Sequence, residues 1–235
     1  MFLNEIGNLD ISTLVPSKDI KNLHRILAFR EITDDTFVVR LERKSLEFKA
    51  GQHIQLRIPG AGAYRVYSIY SSISQYNYLE ILVKEISEGY LTPKLKRVKV
   101  NDFLELKNPS GNYILHKGEI NTKKYLFLAS GTGISPFHSF VLSHPGIDYK
   151  IIHGVRYSNE AYDKNIYDKN RIIICTTGDQ KSHYFGRLTK YLIDHDLDTE
   201  MLVYLCGNSH MILDSMEILK TKGFKAEQFF VETYF

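Results

Sequence analysis

The run Lys124-Tyr125-Leu126-Phe127-Leu128-Ala129-Ser130 leads straight into Gly131-Thr132-Gly133 and then into a segment with helical potential. That order constrains the fold more than any other feature. A strand that is apolar at nearly every position has no solvent face, so it belongs in a parallel sheet covered on both sides. The runs 150–155, 171–175 and 201–206 have the same character, and segments of helical potential alternate with them. Ile212, Met216 and Leu219 share one helical face, and Gly223 is a suitable stop. Strand–helix alternation of this kind is the pattern of a doubly wound α/β sheet.

The first half follows a different rule. Residues 36–41 and 53–58 are short β-prone runs, the second alternating apolar and polar, with a turn carrying Gly51 between them. Residues 78–84 form another such run. Short strands at this spacing, punctuated by Gly and Asn, predict a closed or nearly closed all-β barrel. A short helix is predicted over 92–99, with Thr92 as N-cap and Pro93 at its first position. The pattern changes after Gly118. We therefore divide the chain into 1–117, an antiparallel β-barrel, and 118–235, an α/β domain, with the boundary near His116-Lys117-Gly118.

Composition narrows the function classes. No apolar run approaches the roughly 18 residues that indicate a membrane span, so no membrane insertion is expected. The segment Met1-Phe2-Leu3-Asn4-Glu5-Ile6 lacks the basic and apolar regions of a secretory signal. The only cysteines are Cys175 and Cys206, which excludes a disulfide framework or a four-cysteine metal site and points to a reducing, cytoplasmic location. A net charge of +3 is too small to imply nucleic-acid binding by itself. The nine His have no metal-ligand spacing, and no P-loop is present. Sixteen Tyr and thirteen Phe offer flat surfaces for planar ligands, although most are expected to fill a β-rich core.

Three motifs carry chemistry. In Arg65-Val66-Tyr67-Ser68, a strand puts Arg65 and Tyr67 on one face, with the Ser68 hydroxyl on the other side or at the strand end. A bound flavin requires a flat surface, hydrogen-bond partners along its edge and positive charge for its pyrophosphate, and this tetrapeptide supplies all three. Gly131-Thr132-Gly133, between a strand and a helix, lets a pyrophosphate approach the backbone. Pro136 stands where the dinucleotide fingerprint has its third Gly. Cys206-Gly207-Asn208 ends the last clear strand, on the carboxyl edge where α/β ligands bind; taken alone, Cys206 reads as an inert buried thiol. The sequence ends Phe229-Phe230-Val231-Glu232-Thr233-Tyr234-Phe235, a run costly to leave in water.

Together with Gly89-Tyr90-Leu91-Thr92, these motifs in this order resemble the ferredoxin–NADP reductase family, most closely its bacterial ferredoxin/flavodoxin type, over nearly the whole chain. The resemblance implies an FAD-binding barrel followed by an NADP-binding α/β domain. It implies that Arg65 meets the FAD pyrophosphate, that Tyr67 stacks on the ring with Val66 beside it, and that Ser68 bonds near flavin N5. Backbone at Leu82, Val83 and Lys84 meets the FAD, and Tyr90, Leu91 and Thr92 cradle its phosphates, with Thr132 near both cofactors. Tyr234 stacks on the flavin face that the nicotinamide must reach, and Phe235 is a further aromatic contact. Ser68, Cys206, Glu232 and Tyr234 form the catalytic set for hydride transfer between nicotinamide C4 and flavin N5.

For the NADP(H) side the resemblance implies Thr132, Gly133, Arg156, Thr176, Thr177, Arg187, Cys206 and Gly207. Arg156 and Arg187 match two family positions for the 2′-phosphate. The third, usually Ser-Arg, reads Thr176-Thr177, and Thr177 forms no bidentate pair with phosphate. The implied partner is ferredoxin or flavodoxin, met transiently and electrostatically by a monomer, with Lys94, Lys96, Arg97 and Lys99 as a basic run near the FAD phosphates. Two alternatives stay open: an NADH-dependent flavin reductase or oxygenase reductase component, and a non-catalytic subunit relaying electrons through its flavin.

Overall fold

The computed structural model describes residues 20–60, 62–115 and 120–234. The expected domain junction at 116–118 and the expected FAD contact Phe235 lie outside the described residues.

Six strands form the first layer: β1 (Leu23–Thr33), β2 (Thr36–Glu42), β3 (His53–Arg57), β4 (Arg65–Ser68), β5 (Tyr78–Lys84) and β6 (Phe103–Leu106). Their spatial order is β4-β3-β6-β1-β2-β5, antiparallel throughout. The two edges meet just past β4, where Ile69 pairs with Ile81 and the Tyr70 N–H donates to the Glu80 carbonyl at 2.7 Å. The sheet is thereby closed into a barrel. Period-two alternation decides what fills it. Phe37, Val39 and Leu41 of β2 and Leu79, Ile81 and Val83 of β5 point inward with Ile54 and Leu56. Val38 and Leu82, out of phase by one, join a different core. β1 and β6 are barrel strands that the sequence reading did not anticipate.

The predicted helix over 92–99 is shorter and starts differently. The structure has one turn, α1 (Thr92–Leu95), with Leu91 at the N-cap. Thr92 Oγ1 accepts from the Ile86 N–H at 2.9 Å and donates to the Ile86 carbonyl at 3.2 Å. Those two bonds close the loop between 86 and 92 and leave the hydroxyl unavailable for capping.

The second layer comprises β7 (Lys124–Ser130), β8 (Asp148–Val155), β9 (Ile172–Thr176), β10 (Tyr184–Phe185), β11 (Leu202–Asn208) and β12 (Phe229–Tyr234), ordered β10-β9-β8-β7-β11-β12. Every neighbouring pair is parallel. Tyr125, Phe127 and Ala129 pack with Phe137 and Phe140 of α2 (Ser135–Ser143); Phe127 and Phe137 stack at 4.8 Å. Leu126 and Leu128 face the other way, toward Leu192 of α3 (Leu188–Asp194) and Ile212 and Leu219 of α4 (Ser209–Thr221). Both faces of β7 are therefore covered, which is the reason its sequence is apolar throughout. The aromatic end of the sequence is a strand, since β12 pairs with β11 over six residues.

The two layers share one core. Val38, Tyr70, Leu82 and Tyr113 belong to the same buried cluster as Tyr125 and Phe127. Polar contacts reinforce it: Arg30 donates twice to Asp163, at 2.9 and 2.7 Å, and Tyr70 Oη donates to the same carboxylate at 2.9 Å. Among the described residues, no helix is long and apolar enough to cross a membrane.

Candidate functional site

Where the barrel meets the parallel sheet, β4 ends against β12. Ser68 Oγ donates to Glu232 Oε1 at 2.8 Å, across 164 residues of sequence. The β11–β12 register sets Cys206 opposite Glu232 and Asn208 opposite Tyr234. The Tyr234 hydroxyl is buried between Ser68 and Cys206 without completing a hydrogen bond to either. All four expected catalytic residues are thus brought together. Burial pushes the Glu232 carboxyl up from its ordinary value, and the Ser68 hydroxyl offsets part of that. Burial, then the neighbouring Glu232 charge, raises the Cys206 thiol well above its ordinary range. Cys206 is therefore a neutral, wholly buried thiol, and Ser68 with Glu232 is the pair able to hold or pass a proton.

The barrel side of this junction is more open. Arg65 is exposed, and among the described residues its guanidinium donates to the adjacent Tyr64 carbonyl alone, at 3.1 Å. Val66 is 58% exposed. Tyr67 lies half-buried on the same face of β4 as Arg65. Tyr90 is exposed beneath the Lys94 ammonium, 3.8 Å from its ring centroid. The loop before β4 passes under this ring: a Cβ on Gly62 would come within 2.6 Å of it. A guanidinium without a carboxylate partner, a flat ring and an orphaned buried hydroxyl are what a flavin dinucleotide requires, so these residues fit the group. The side chains of Leu82, Val83, Leu91 and Thr92 are buried, which leaves only their backbone for a ligand.

A cleft of about 550 Å³ lies at the carboxyl ends of β7, β8, β9 and β11, lined by Ser130, Gly131, Arg156, Thr177, Arg187 and Asn208 among others. Two helices start on it. Arg187 is the N-cap residue of α3, and the Asn208 side chain caps α4 by accepting from the N–H groups of His210 (3.0 Å) and Met211 (3.3 Å). The positive ends of both helix dipoles therefore face the cleft, a setting suited to phosphate. Arg30, Arg40, Arg57 and Arg171 have carboxylate partners. Among the described residues, Arg156 and Arg187 have none.

The glycines divide by role. Gly131 has φ +53°, and a Cβ there would meet nothing within 4 Å, so it is open to a ligand. Its carbonyl accepts from His153 Nε2 at 2.8 Å; burial pushes this imidazole down to about 4, so it is neutral at ordinary pH. Gly133 and Gly207 are instead packing glycines. A Cβ on Gly133 would lie 2.3 Å from the Cys206 carbonyl, and one on Gly207 (φ +128°) 2.3 Å from Ser130 Oγ. Thr132, Gly133, Cys206 and Gly207 thus sit at the same sheet edge without lining the cleft, Thr132 half-buried and the other three buried. Thr176 also departs from expectation. It is wholly buried, and its hydroxyl bonds the Asp179 carbonyl at 2.6 Å and Ser182 at 2.7 Å, building the turn that presents Thr177. Sequence reasoning missed Glu160 and the capping role of Asn208. Asn-Ser directly before a helical apolar period was the available signal for the cap.

Residues 26–114 match the family model of the oxidoreductase FAD-binding domain. The ferredoxin NADP+ reductase of Neisseria gonorrhoeae, solved with bound FAD and NADP, aligns with a TM-score of 0.79 at 22% identity, over 91% of this chain and 98% of that one. The chain thus has a ferredoxin reductase-like fold, with an FAD-binding-domain match over 26–114. Two curated relatives extend this. The toluate 1,2-dioxygenase electron transfer component of Pseudomonas putida is 25% identical over 87% of this chain and 65% of its own length. The propane 2-monooxygenase reductase component of Rhodococcus jostii is 24% identical over 98% of this chain and 68% of its own length. The chain thus spans about two thirds of either relative. The expected fold class, an all-β FAD-binding barrel followed by a doubly wound α/β domain, is the one found.

Proposed function

We propose that this ferredoxin reductase-type flavoprotein transfers electrons between NADPH and a one-electron carrier such as ferredoxin or flavodoxin. The observation that carries the reading is the pair Arg156 and Arg187. Two guanidiniums without carboxylate partners line one cleft beside two helix N-termini, and a doubly charged phosphate complements them. FAD, when bound along β4, supplies the conversion between two-electron and one-electron transfer. Arg65 would take its pyrophosphate, Tyr67 and Tyr234 would hold its ring, and Ser68 with Glu232 would supply a proton link. The chain's own contribution is position and electrostatics. We assign 1–117 to the flavin and 118–235 to the nucleotide, and place the protein in the cytoplasm as a monomer.

A second reading is an NADH-dependent reductase component serving an oxygenase. Thr177 favours NADH, because it lines the cleft where a third cation was expected, and the two relatives, components of a dioxygenase and a monooxygenase, favour an oxygenase partner. The basic run offers ferredoxin less than its sequence implied. Lys96 is held by Glu85 at 2.7 Å and Lys94 by the Tyr90 ring.

Stopped-flow bleaching of the flavin by NADPH and by NADH separates the readings. Faster bleaching by NADPH is expected, and faster bleaching by NADH rejects the nucleotide assignment. A purified protein that is colourless and takes up no FAD rejects both.

A further inference from the structure

Beside Asp214, the cleft wall contains a second carboxylate, Glu160, which a site for an anion would ordinarily exclude. Its surroundings account for it. Glu160 is buried. Its Oε2 accepts from the backbone N–H of Arg156 at 2.9 Å and of Tyr157 at 3.0 Å, while Oε1 accepts from Lys84 Nζ at 2.8 Å. Burial alone would raise this carboxyl, but Lys84 and the two amides outweigh it and hold it below its ordinary value. The charge is present, paired with Lys84 and bonded by two backbone amides.

The effect falls on Arg156. Its N–H is fixed by Glu160, and its carbonyl accepts from the Gly178 N–H at 2.7 Å. Gly178 packs closely on this segment, since a Cβ there would come within 2.5 Å of the Tyr157 ring and 2.8 Å of the Arg156 carbonyl. Among the described residues the guanidinium has no carboxylate partner, and the Tyr157 ring lies 5.4 Å away. The backbone clamp therefore fixes the point from which this side chain reaches into the cleft. The clamp is anchored from the other half of the molecule: Lys84 is the last residue of β5 and also lies 3.3 Å from Asp35.

We propose that Glu160 is the positioning residue that aims Arg156 at the 2′-phosphate of NADP(H), with Lys84 neutralising it from the flavin half. This rests on the nucleotide reading above. Positioning and bare electrostatics predict opposite signs. Removing a negative charge from an anion cleft would by itself tighten binding, whereas freeing the 156–160 loop loosens it.

The test titrates FAD-loaded holoenzyme with NADP+ and with NAD+, following the flavin difference spectrum. For Glu160→Ala, the NADP+ Kd is expected to rise about ten-fold, with NAD+ affinity changing less than about two-fold. In turnover the loss falls on KM for NADPH rather than on kcat. Glu160→Gln, whose amide oxygen still accepts from the two backbone N–H groups, is expected to restore most of the affinity. Unchanged or tighter NADP+ binding by Glu160→Ala overturns the proposal. So does an equal loss for both nucleotides, or a Gln variant as weak as Ala. Should the Ala variant fail to retain FAD, Glu160→Asp carries the same comparison, its shorter side chain loosening the clamp; NADP+ binding equal to wild type then overturns it. A wild-type holoenzyme that shows no preference for NADP+ over NAD+ refutes the underlying nucleotide reading, and that result is read before any variant.

Discussion

Ser68→Ala tests the junction between barrel and sheet most directly. The wild-type hydroxyl donates to Glu232 at 2.8 Å and is 4% exposed. Losing a hydrogen bond to a charged group costs about 1.5–3 kcal/mol. For a chain of this size each kcal/mol is worth about 2–4 °C, so Tm should fall by roughly 3–12 °C. The carboxyl has an escape, however, because it can take up a proton. Burial raises the Glu232 pKa above the ordinary 4.5, and Ser68 lowers it again; without Ser68 the folded value rises further. A carboxyl whose folded pKa is raised supports the fold fully below its unfolded value. That support is lost as pH rises through the folded value. The deficit of Ser68→Ala should therefore be small near pH ~5 and largest near pH ~8. Thermal unfolding of the FAD-loaded protein across this range, read by circular dichroism and flavin fluorescence, measures it. In a Glu232→Gln background the same substitution should cost the same at every pH. A pH-independent deficit in the wild-type background would refute the reasoning.

Three further outcomes are expected. Arg156→Gln and Arg187→Gln should each weaken NADP+ binding about ten-fold at low salt and less at high salt, which calorimetry at two ionic strengths can check. Gly133→Ala forces a methyl to within 2.3 Å of the Cys206 carbonyl. It should cost about 1–3 kcal/mol, as overpacking of a core does, and a variant melting like wild type removes the packing role assigned to this glycine. Asp163→Ala leaves the wholly buried Tyr70 without its acceptor and should destabilise by about 1–3 kcal/mol. Burial would raise the Asp163 carboxyl, but Arg30 and Tyr70 outweigh it and hold it below its ordinary value. Its support is therefore present above the unfolded pKa and lost on acidification through the folded one, and the cost of the variant should shrink in acid.

Legibility followed the strength of local patterning. The buried parallel strands were readable because a strand covered on both faces must be apolar throughout. β1 was not, because Arg25, Arg30 and Glu31 interrupt its apolar residues, and only pairing with both β2 and β6 makes it a strand. β6, four residues long, is too short to show a period. Thr92 was read as a cap because its neighbours have helix-start chemistry, yet its hydroxyl closes a loop whose partner, Ile86, is set by the chain path. The 229–235 run reads as costly to leave in water, but the pairing of 229–234 with β11 depends on an edge that exists only once the sheet has formed.

By itself the amino-acid sequence determined the two architectures and singled out the short segments that are candidates for chemistry. Periodicity, turn residues and helix stops act over a few residues and are encoded where they act. Only the tertiary structure decided that Ser68 meets Glu232, that Thr176 turns inward while Thr177 lines the cleft, and that Glu160 clamps Arg156 with help from Lys84. Each of those depends on strand register and on closure of the barrel against the sheet. The energy of such contacts is released only when distant segments are already in place, so no local pattern announces them.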